Sequence, residues 1–440
     1  MQVIIVGAGI AGLSLAIALA RSKHRVVVLD ANPELAELGA GVQLTPQAVR
    51  YLFQWGMEDD IAASSIVPQR MTVKDFAAGE VLAEIPTGEM RERYGAPYIV
   101  VHRAVLHSML HKHAVEAGAT LQLNTRVVKY DFENGAVELH DGSRLTADLV
   151  VGADGINSLS RKQLLGAADP GSQPTGWAAI RMMVEVADIH ADPAIADIAN
   201  TETRSSHLWI APGKSCMSYQ IKDGALLNVV LSHPDDIDMS KFTLDEYKAF
   251  VKETFQDFEP RVQKLLQLAL PKIQNFPVYQ VPPIPRWVHP SGRFTLVGDS
   301  AHAMAFYLSM GVSLAVEDAV SLATALDLAC PAKTAAEEVL DADKLRIALL
   351  AFEQARIKRV EVMQEASLHA GNMAHVEEGE KRRQLYAALR TDGMDGTGVE
   401  DTVLLTQGIT YGLGDCRVRD WCYGHDTVKV MRECYEAMTS

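Results

Sequence analysis

The residues best placed for chemistry are three aspartates, each standing at the end of an apolar run. Asp30 closes "RVVVLD", Asp154 follows "LVVGA" and Asp299 follows "TLVG". A carboxylate at the end of a buried strand is costly unless donors use its lone pairs, and the hydroxyls of a ribose or polyol are suitable donors. The first aspartate belongs to a larger pattern. Gly7-x-Gly9-x-x-Gly12 lies directly after the strand-like "VIIV" and directly before the alanine-rich "LSLAIALA". Glycines at this spacing permit a tight turn, close approach of backbone to a pyrophosphate, and close helix–strand packing. The helix start adds free N–H groups and about half a positive charge. Asp30, eighteen residues after Gly12, can accept both hydroxyls of a ribose and disfavours one carrying a 2′-phosphate. The pattern predicts a dinucleotide site for NAD or FAD.

To bring these groups together, parallel strands must end at one crevice. Residues 135–147, "GAVELHDGSRLTA", predict a hairpin turning at Asp141-Gly142. The strand of "ADLVVGADG" follows, then a polar turn holding Asn157, Ser158 and Arg161. By itself Asp154-Gly155 also fits a plain strand-ending turn. "RFTLVGDSAHAM" repeats the order strand, Gly, Asp, and runs into the helix-like "GVSLAVEDAVSLATAL". Two further segments, "HLWIAPGKSCMSYQI" and "ALLNVVLS", alternate like antiparallel strands, with a Pro-Gly turn inside the first. Arg181 interrupts an apolar strand. It is either a salt-bridged arginine or an anchor for a phenolate or carboxylate, which a guanidinium suits. "KLRIALLAFEQARIKRVEVMQEASLH" has helical spacing and predicts a scaffold helix. A surface loop with a helix cap is expected at 331–343, and a mobile loop within the charged, glycine-bearing 375–400.

The net charge of −15, without a Lys/Arg-rich run, argues against a nucleic-acid partner. Residues 3–20 carry no charge, but glycines break the stretch and no basic segment precedes it. It is therefore expected neither to span a membrane nor to act as a signal, and a cytoplasmic protein is expected. Five cysteines without a CxxC, and fourteen histidines without an HExxH, predict reduced thiols and no metal site.

In combination, "VGAGIAGLSLAIAL", "LGAGVQLTPQAVRYL", "YGAPYIVVHRAVLHSML", "DLVVGADGINSLSRKQLLG", "LVGDSAHAM" with "GVSLAVEDA", and "WCYGHD" at 421–426 are similar to a known family. The chain resembles the FAD-dependent aromatic hydroxylases of the p-hydroxybenzoate hydroxylase class, above all salicylate hydroxylases and 6-hydroxynicotinate 3-monooxygenases. The resemblance implies an α/β protein. A Rossmann-like FAD-binding domain (1–70, 98–175, 284–330) would be interrupted by a sheet-rich substrate domain (71–97, 176–283) and followed by a helical region (331–440). Gly7, Gly9, Gly12 and Asp30 would hold the ADP half of FAD, and Arg103 would approach the pyrophosphate. Asp154 and Gly155 would serve FAD and the visiting NADH or NADPH, and Asp299 the ribityl chain. Gly311 and Val312 would offer N–H groups to the flavin pyrimidine edge, with Gly41, Val42 and Val127 as further cofactor contacts. Arg181 and Tyr219 are the implied catalytic residues, Tyr219 facing the flavin from a sheet strand, while His207 and Trp209 are lesser candidates and more core-like.

The implied activity is a single-component monooxygenase that uses NAD(P)H and O2 to hydroxylate a phenolic or aromatic-acid small molecule through a flavin hydroperoxide. Two alternatives stand beside it: an epoxidase or dearomatising monooxygenase of a larger apolar natural product, and a flavin-binding redox sensor without turnover. Four departures bear on the choice. The family's "HPMxP" has become "HAMAF", so Ala303 and Phe306 replace prolines, and Met310 stands where glutamine is common. These changes predict a more apolar wall. Gln43 and Ser215 stand where histidines occur in the 6-hydroxynicotinate enzymes, which argues against that substrate.

Overall fold

The computed structural model describes residues 1–34, 41–269, 273–330, 341–390, 403–408 and 414–440. The opening "VIIV" forms the strand Gln2–Val6 at the centre of a five-stranded parallel sheet. On one side lie Arg25–Leu29 and then Thr120–Gln122; on the other lie Leu149–Gly152 and then Phe294–Leu296. The order reverses between Gln2–Val6 and Leu149–Gly152, the position where such sheets open a crevice at their carboxyl ends. The two strands are stitched there by the Ala153 N–H donating to the Val6 carbonyl at 2.8 Å. The hairpin turning at Asp141-Gly142 joins Ala136–Leu139 to Arg144–Thr146 as expected.

A seven-stranded, largely antiparallel sheet takes strands from 71–85 and from 173–280. Its long strand Gln173–Glu185 pairs with Leu226–Pro234, which pairs with Lys214–Ile221, then Ser206–Ala211. Strand side chains alternate between faces, and both faces of this sheet are covered. Ile180, Met182, Trp209, Cys216 and Leu231 pack on one side into a core completed by the helices Leu244–Thr254 and Pro260–Gln267. The opposite face looks toward the parallel sheet. His207 and Trp209 therefore point away from the space between the sheets. Trp209 donates to Glu259 at 2.6 Å, and His207 meets Thr72 at 2.6 Å.

The C-terminal helix Ala342–Ala374, about 50 Å long at 1.5 Å per residue, does more than scaffold. Its Arg356 and Arg359 meet Glu317 and Asp318 of the helix Gly311–Ala329, and all four residues are buried. Arg356 donates to Glu317 at 2.7 Å and to Asp318 at 2.8 Å; Arg359 grips both oxygens of Glu317 at 2.8 Å. Asp318 also accepts from His302 at 2.6 Å and from the Gly298 N–H at 2.9 Å. The motif at 421–426 closes this assembly, with Arg359 donating to the Cys422 carbonyl and lying over the Trp421 ring. Part of the stretch expected to be a mobile loop is the helix Glu380–Arg390. Residues 391–400, and 331–340 of the expected surface loop, lie outside the described residues.

Burial pushes the Glu317 and Asp318 carboxyls up, but Arg359 and Arg356 beside Glu317, and His302 and Arg356 beside Asp318, more than offset this. Both carboxyls end below the usual carboxylate range. Their folded values are depressed, so they contribute stability above the unfolded range near 4 and lose it as pH falls. Arg356→Leu strands two buried carboxylates and is expected to cost about 3–5 kcal/mol in chemical denaturation at pH 7. That penalty should shrink as the buffer is taken below about pH 4.

Candidate active site

A cavity of about 430 Å³ lies between the carboxyl ends of the parallel sheet and the face of the seven-stranded sheet turned toward them. Ten of the fifteen cofactor-binding and catalytic residues expected from the sequence line it: Gly9, Gly41, Val42, Arg103, Gly155, Arg181, Tyr219, Asp299, Gly311 and Val312. The other five do not. Gly7 and Gly12 are spent on packing: a Cβ at Gly7 would stand 2.3 Å from the Ala153 carbonyl oxygen, and one at Gly12 only 1.9 Å from that of Gly7. Gly7 also has φ +111°, a conformation that favours glycine. Asp30 accepts from the Ala8 N–H and the Asn32 N–H, both at 2.8 Å, and so fixes the glycine loop. Asp154 turns its carboxylate onto Ser158 and Ser160, with bonds of 2.6–2.9 Å, leaving Gly155 to face the cavity. Val127 opens the strand Val127–Asp131, buried away from the cavity.

Two helices aim their first turns at the cavity. Gly9 precedes Ile10–Arg21 and Met310 precedes Gly311–Ala329, and neither start is closed by a side-chain cap. A Cβ would meet nothing at Gly9 or Gly311. The two starts offer unpaired N–H groups where anionic parts of a ligand would be favoured. Between them, Asp299 presents its carboxylate to the cavity, and none of the described residues donates a hydrogen bond to it. Although accessible from the cavity it lies deep in the protein. Burial raises its pKa, and the positive charges of His302 and Arg103 only partly oppose the rise. An anion seat at each end and an orphaned acceptor between them fit a dinucleotide with a polyol, as FAD is. The sequence alone pointed to each of these features, but not to their alignment.

The loop after Asp299 departs from the expected proline-stiffened form, and the structure shows what replaces the prolines. Ala303 holds φ −52° and ψ 137°, close to what a proline ring enforces. Its carbonyl accepts from the Val281 N–H at 2.9 Å and the Gln364 amide at 3.1 Å, while the Ala305 carbonyl accepts from Ser367 at 2.6 Å. Ser309, at φ +56°, donates to Gln43 at 2.6 Å, and Tyr98 donates to the same oxygen. The wall is apolar through Met304 and Phe306. Met310 does not contribute to it: buried, it turns its sulfur toward Thr45 and Gln47.

On the sheet side, Tyr219 donates its hydroxyl to the Gly41 carbonyl at 2.8 Å, and a Cβ at Gly41 would stand 2.4 Å from the tyrosine ring. Burial, eased by Arg181, pushes this phenol up to about 12. Tyr219 is therefore neutral at pH 7, holds the Gly41 strand, and shows the cavity its ring. Arg181 lies against the Phe276 ring at 5.5 Å, and its buried Nε has no partner among the described residues. The salt-bridged alternative for this residue finds no support, since no carboxylate is paired with it among the described residues. None of the described His, Cys, Asp and Glu side chains forms a group able to hold a metal ion. No described helix is long and apolar enough to cross a membrane.

Comparison with known proteins gives an independent view. Residues 1–349 match the family model described as "FAD binding domain". The chain is 30% identical over 435 residues to 3-hydroxybenzoate 6-hydroxylase 1 of Aquipseudomonas alcaligenes, covering 97% of this chain and 98% of that one. It is 32% identical over 385 residues to the FAD-dependent monooxygenase ntnJ of Nectria sp, covering 86% of each. Among solved structures, a salicylate hydroxylase substrate complex superposes with a TM-score of 0.76 at 23% identity, over 99% of this chain and 98% of that one.

The orphaned carboxylate yields a prediction with two opposite signs. A raised carboxyl pKa means that burying the ionised form costs stability at neutral pH, a cost that grows as pH rises through the folded value. Asp299→Asn should therefore raise the melting temperature of the apoprotein. It should also weaken FAD binding about tenfold or more, the worth of one charge-assisted hydrogen bond, in a titration by flavin fluorescence.

Proposed function

The chain belongs to the FAD-dependent aromatic hydroxylase family and is a flavoprotein monooxygenase, and from that premise we propose that it uses NADH or NADPH and O2 to hydroxylate a phenolic or aromatic-acid small molecule. The observation that carries the substrate class is Arg181. It is a guanidinium facing the cavity, with a buried Nε that none of the described residues uses. A cation held this way costs solvation that a phenolate or carboxylate would restore.

The geometry supports the following roles. The first turn after Gly9, with Arg103, would seat the pyrophosphate; Asp299 would accept from the ribityl hydroxyls; the N–H groups of Gly311 and Val312 would face the anionic edge of the ring. Bound FAD supplies the redox chemistry, taking electrons from the nicotinamide and activating O2. The chain does the rest. Arg181 holds the aromatic anion and lowers the cost of its deprotonated form. Tyr219 fixes the Gly41 strand against the ring system. Met304, Phe306, Leu208 and Val230 keep water from the reacting carbon. Gln364 and Ser367 hold the loop carbonyls of Ala303 and Ala305 in place of the missing prolines. A single glycine-loop site leaves the nicotinamide as a transient visitor. A second reading, oxidation of a larger and more apolar natural product, is favoured by the same Met304–Phe306 wall.

The deciding measurement is NAD(P)H oxidation by the purified holoenzyme, with peroxide counted, across phenols, aromatic acids and neutral indoles. Fast oxidation with little peroxide is expected for anionic aromatics. Arg181→Met should raise KM for those substrates about 10- to 100-fold, the loss of a hydrogen bond to a charged group, and should leave a neutral indole little changed. Equal losses for both classes would refute the anchor.

A further inference from the structure

The cavity face of the seven-stranded sheet is arranged in rows. Register places Met183, Asn228 and Tyr219 in one row, Arg181, Val230 and Met217 in the next, and Ala179, Ser232 and Ser215 in the third. Same-face residues two apart on a strand are separated by about 7 Å. The third row therefore lies about 13 Å along the strand from Tyr219, which marks the cofactor end through its bond to Gly41. Arg181 occupies the middle row.

In the third row two serines sit directly opposite each other on neighbouring strands, both lining the cavity. Each has a ring behind it: Ser215 meets His375 Nε2 at 2.9 Å, and Ser232 meets the Tyr307 hydroxyl at 3.0 Å. The two rings contact edge to face at 5.4 Å, and Trp177 lies 4.1 Å from the imidazole. These rings are fixed by the far end of Ala342–Ala374. The His375 carbonyl accepts from the Gly213 N–H at 2.9 Å, pinning that end to the hairpin turn before Ser215. One turn earlier, a Cβ on Gly371 would stand 2.4 Å from the Tyr307 ring. A glycine inside a helix is destabilising, and room for this ring is what it gains. A histidine thus reaches Ser215, the position that lacks one in the sequence, from an element some 160 residues away.

We propose that Ser215 and Ser232, backed by His375 and Tyr307, form a second polar subsite that takes a neutral oxygen, a hydroxyl or carbonyl, at the end of the substrate remote from the oxidised ring. The proposal rests on the monooxygenase reading and extends it: the substrate is an elongated phenol, with an apolar middle against Met217 and Val230. The oxygen is neutral because both serines meet uncharged partners. Burial holds the His375 imidazole down to about 3, so it carries no charge at pH 7. With its proton on Nε2 the imidazole donates to Ser215 and frees the serine's own hydrogen for a ligand oxygen. His375 is then a positioning residue, acting through Ser215.

The test uses the purified holoenzyme and the flavin absorbance change on titration with 4-hydroxybiphenyl, 4,4′-dihydroxybiphenyl and phenol. The distal hydroxyl is expected to tighten binding about 3- to 10-fold, one net hydrogen bond. That advantage should vanish in Ser215→Ala/Ser232→Ala and in His375→Leu, and return in part in His375→Gln, which keeps a nitrogen donor. A merely structural role would weaken both biphenyls alike and leave their ratio unchanged. A wild-type ratio near one, a ratio that survives loss of both serines, or binding of phenol but of neither biphenyl overturns the proposal. Binding with the expected ratio but without stimulated NAD(P)H oxidation by any compound upholds the subsite and sinks the proposed reaction instead.

Discussion

The carboxylate pair Glu317–Asp318 is the constraint on which the rest of the site depends. Two adjacent acids on one helix are fully buried, a condition that is tolerable only if cations and N–H groups satisfy nearly every lone pair. Arg356, Arg359, His302 and the Gly298 N–H do so. Those partners come from three parts of the molecule: both arginines from the long C-terminal helix, His302 from the turn after the last parallel strand, and Gly298 from the strand end itself. Satisfying the charges therefore fixes where the helix Gly311–Ala329 starts and where Asp299 points. The cost of an unpaired buried charge leaves little freedom for these parts to slide.

The long helix next to that cluster shows how one element can serve several demands. Arg356 and Arg359 neutralise the acids. Two turns on, Gln364 and Ser367 hold the loop carbonyls of Ala303 and Ala305, and the last turn brings Gly371 to the Tyr307 ring and His375 to Ser215 on the cavity wall. The loop after Asp299 thus takes its shape from hydrogen bonds to a packed helix, in place of the proline rings of the motif it resembles. Restricting the backbone through φ acts mostly on the unfolded chain; pinning its carbonyls acts on the folded one. The second solution lets Ala303 keep a proline-like backbone and frees Phe306 for the cavity wall.

The seven-stranded sheet divides its polar residues by parity. Arg181 and Tyr219 fall on the face toward the cavity, with Ser215 and Ser232, while His207 and Trp209 fall on the face sealed by helices. One residue of register would exchange the two sets. What holds the register is the apolar requirement of the sealed core, so the cavity face is specified indirectly by Ile180, Met182 and Leu231 behind it.

Much of the cofactor site was legible in the chain itself. Gly7, Gly9 and Gly12 stand between an apolar run and an alanine-rich one at the spacing a strand–turn–helix unit uses, and local backbone sterics decide that geometry. The strands ending at Asp154 and Asp299, the hairpin at Asp141-Gly142 and the alternation around Arg181 were likewise read from local pattern, because burial on one face imposes its period on the sequence. Other features came only from the tertiary structure. Asp154 and Asp299 each follow an apolar strand, yet the first is consumed by Ser158 and Ser160 and the second is left open. The partners of Asp154 lie four and six residues on, in the polar turn visible in the sequence, whereas the surroundings of Asp299 are supplied by elements distant in the chain. For the same reason the partner of Ser215 could not be read from the chain. His375 closes a helix that looks like scaffold in sequence, and only long-range packing brings its imidazole to the cavity wall.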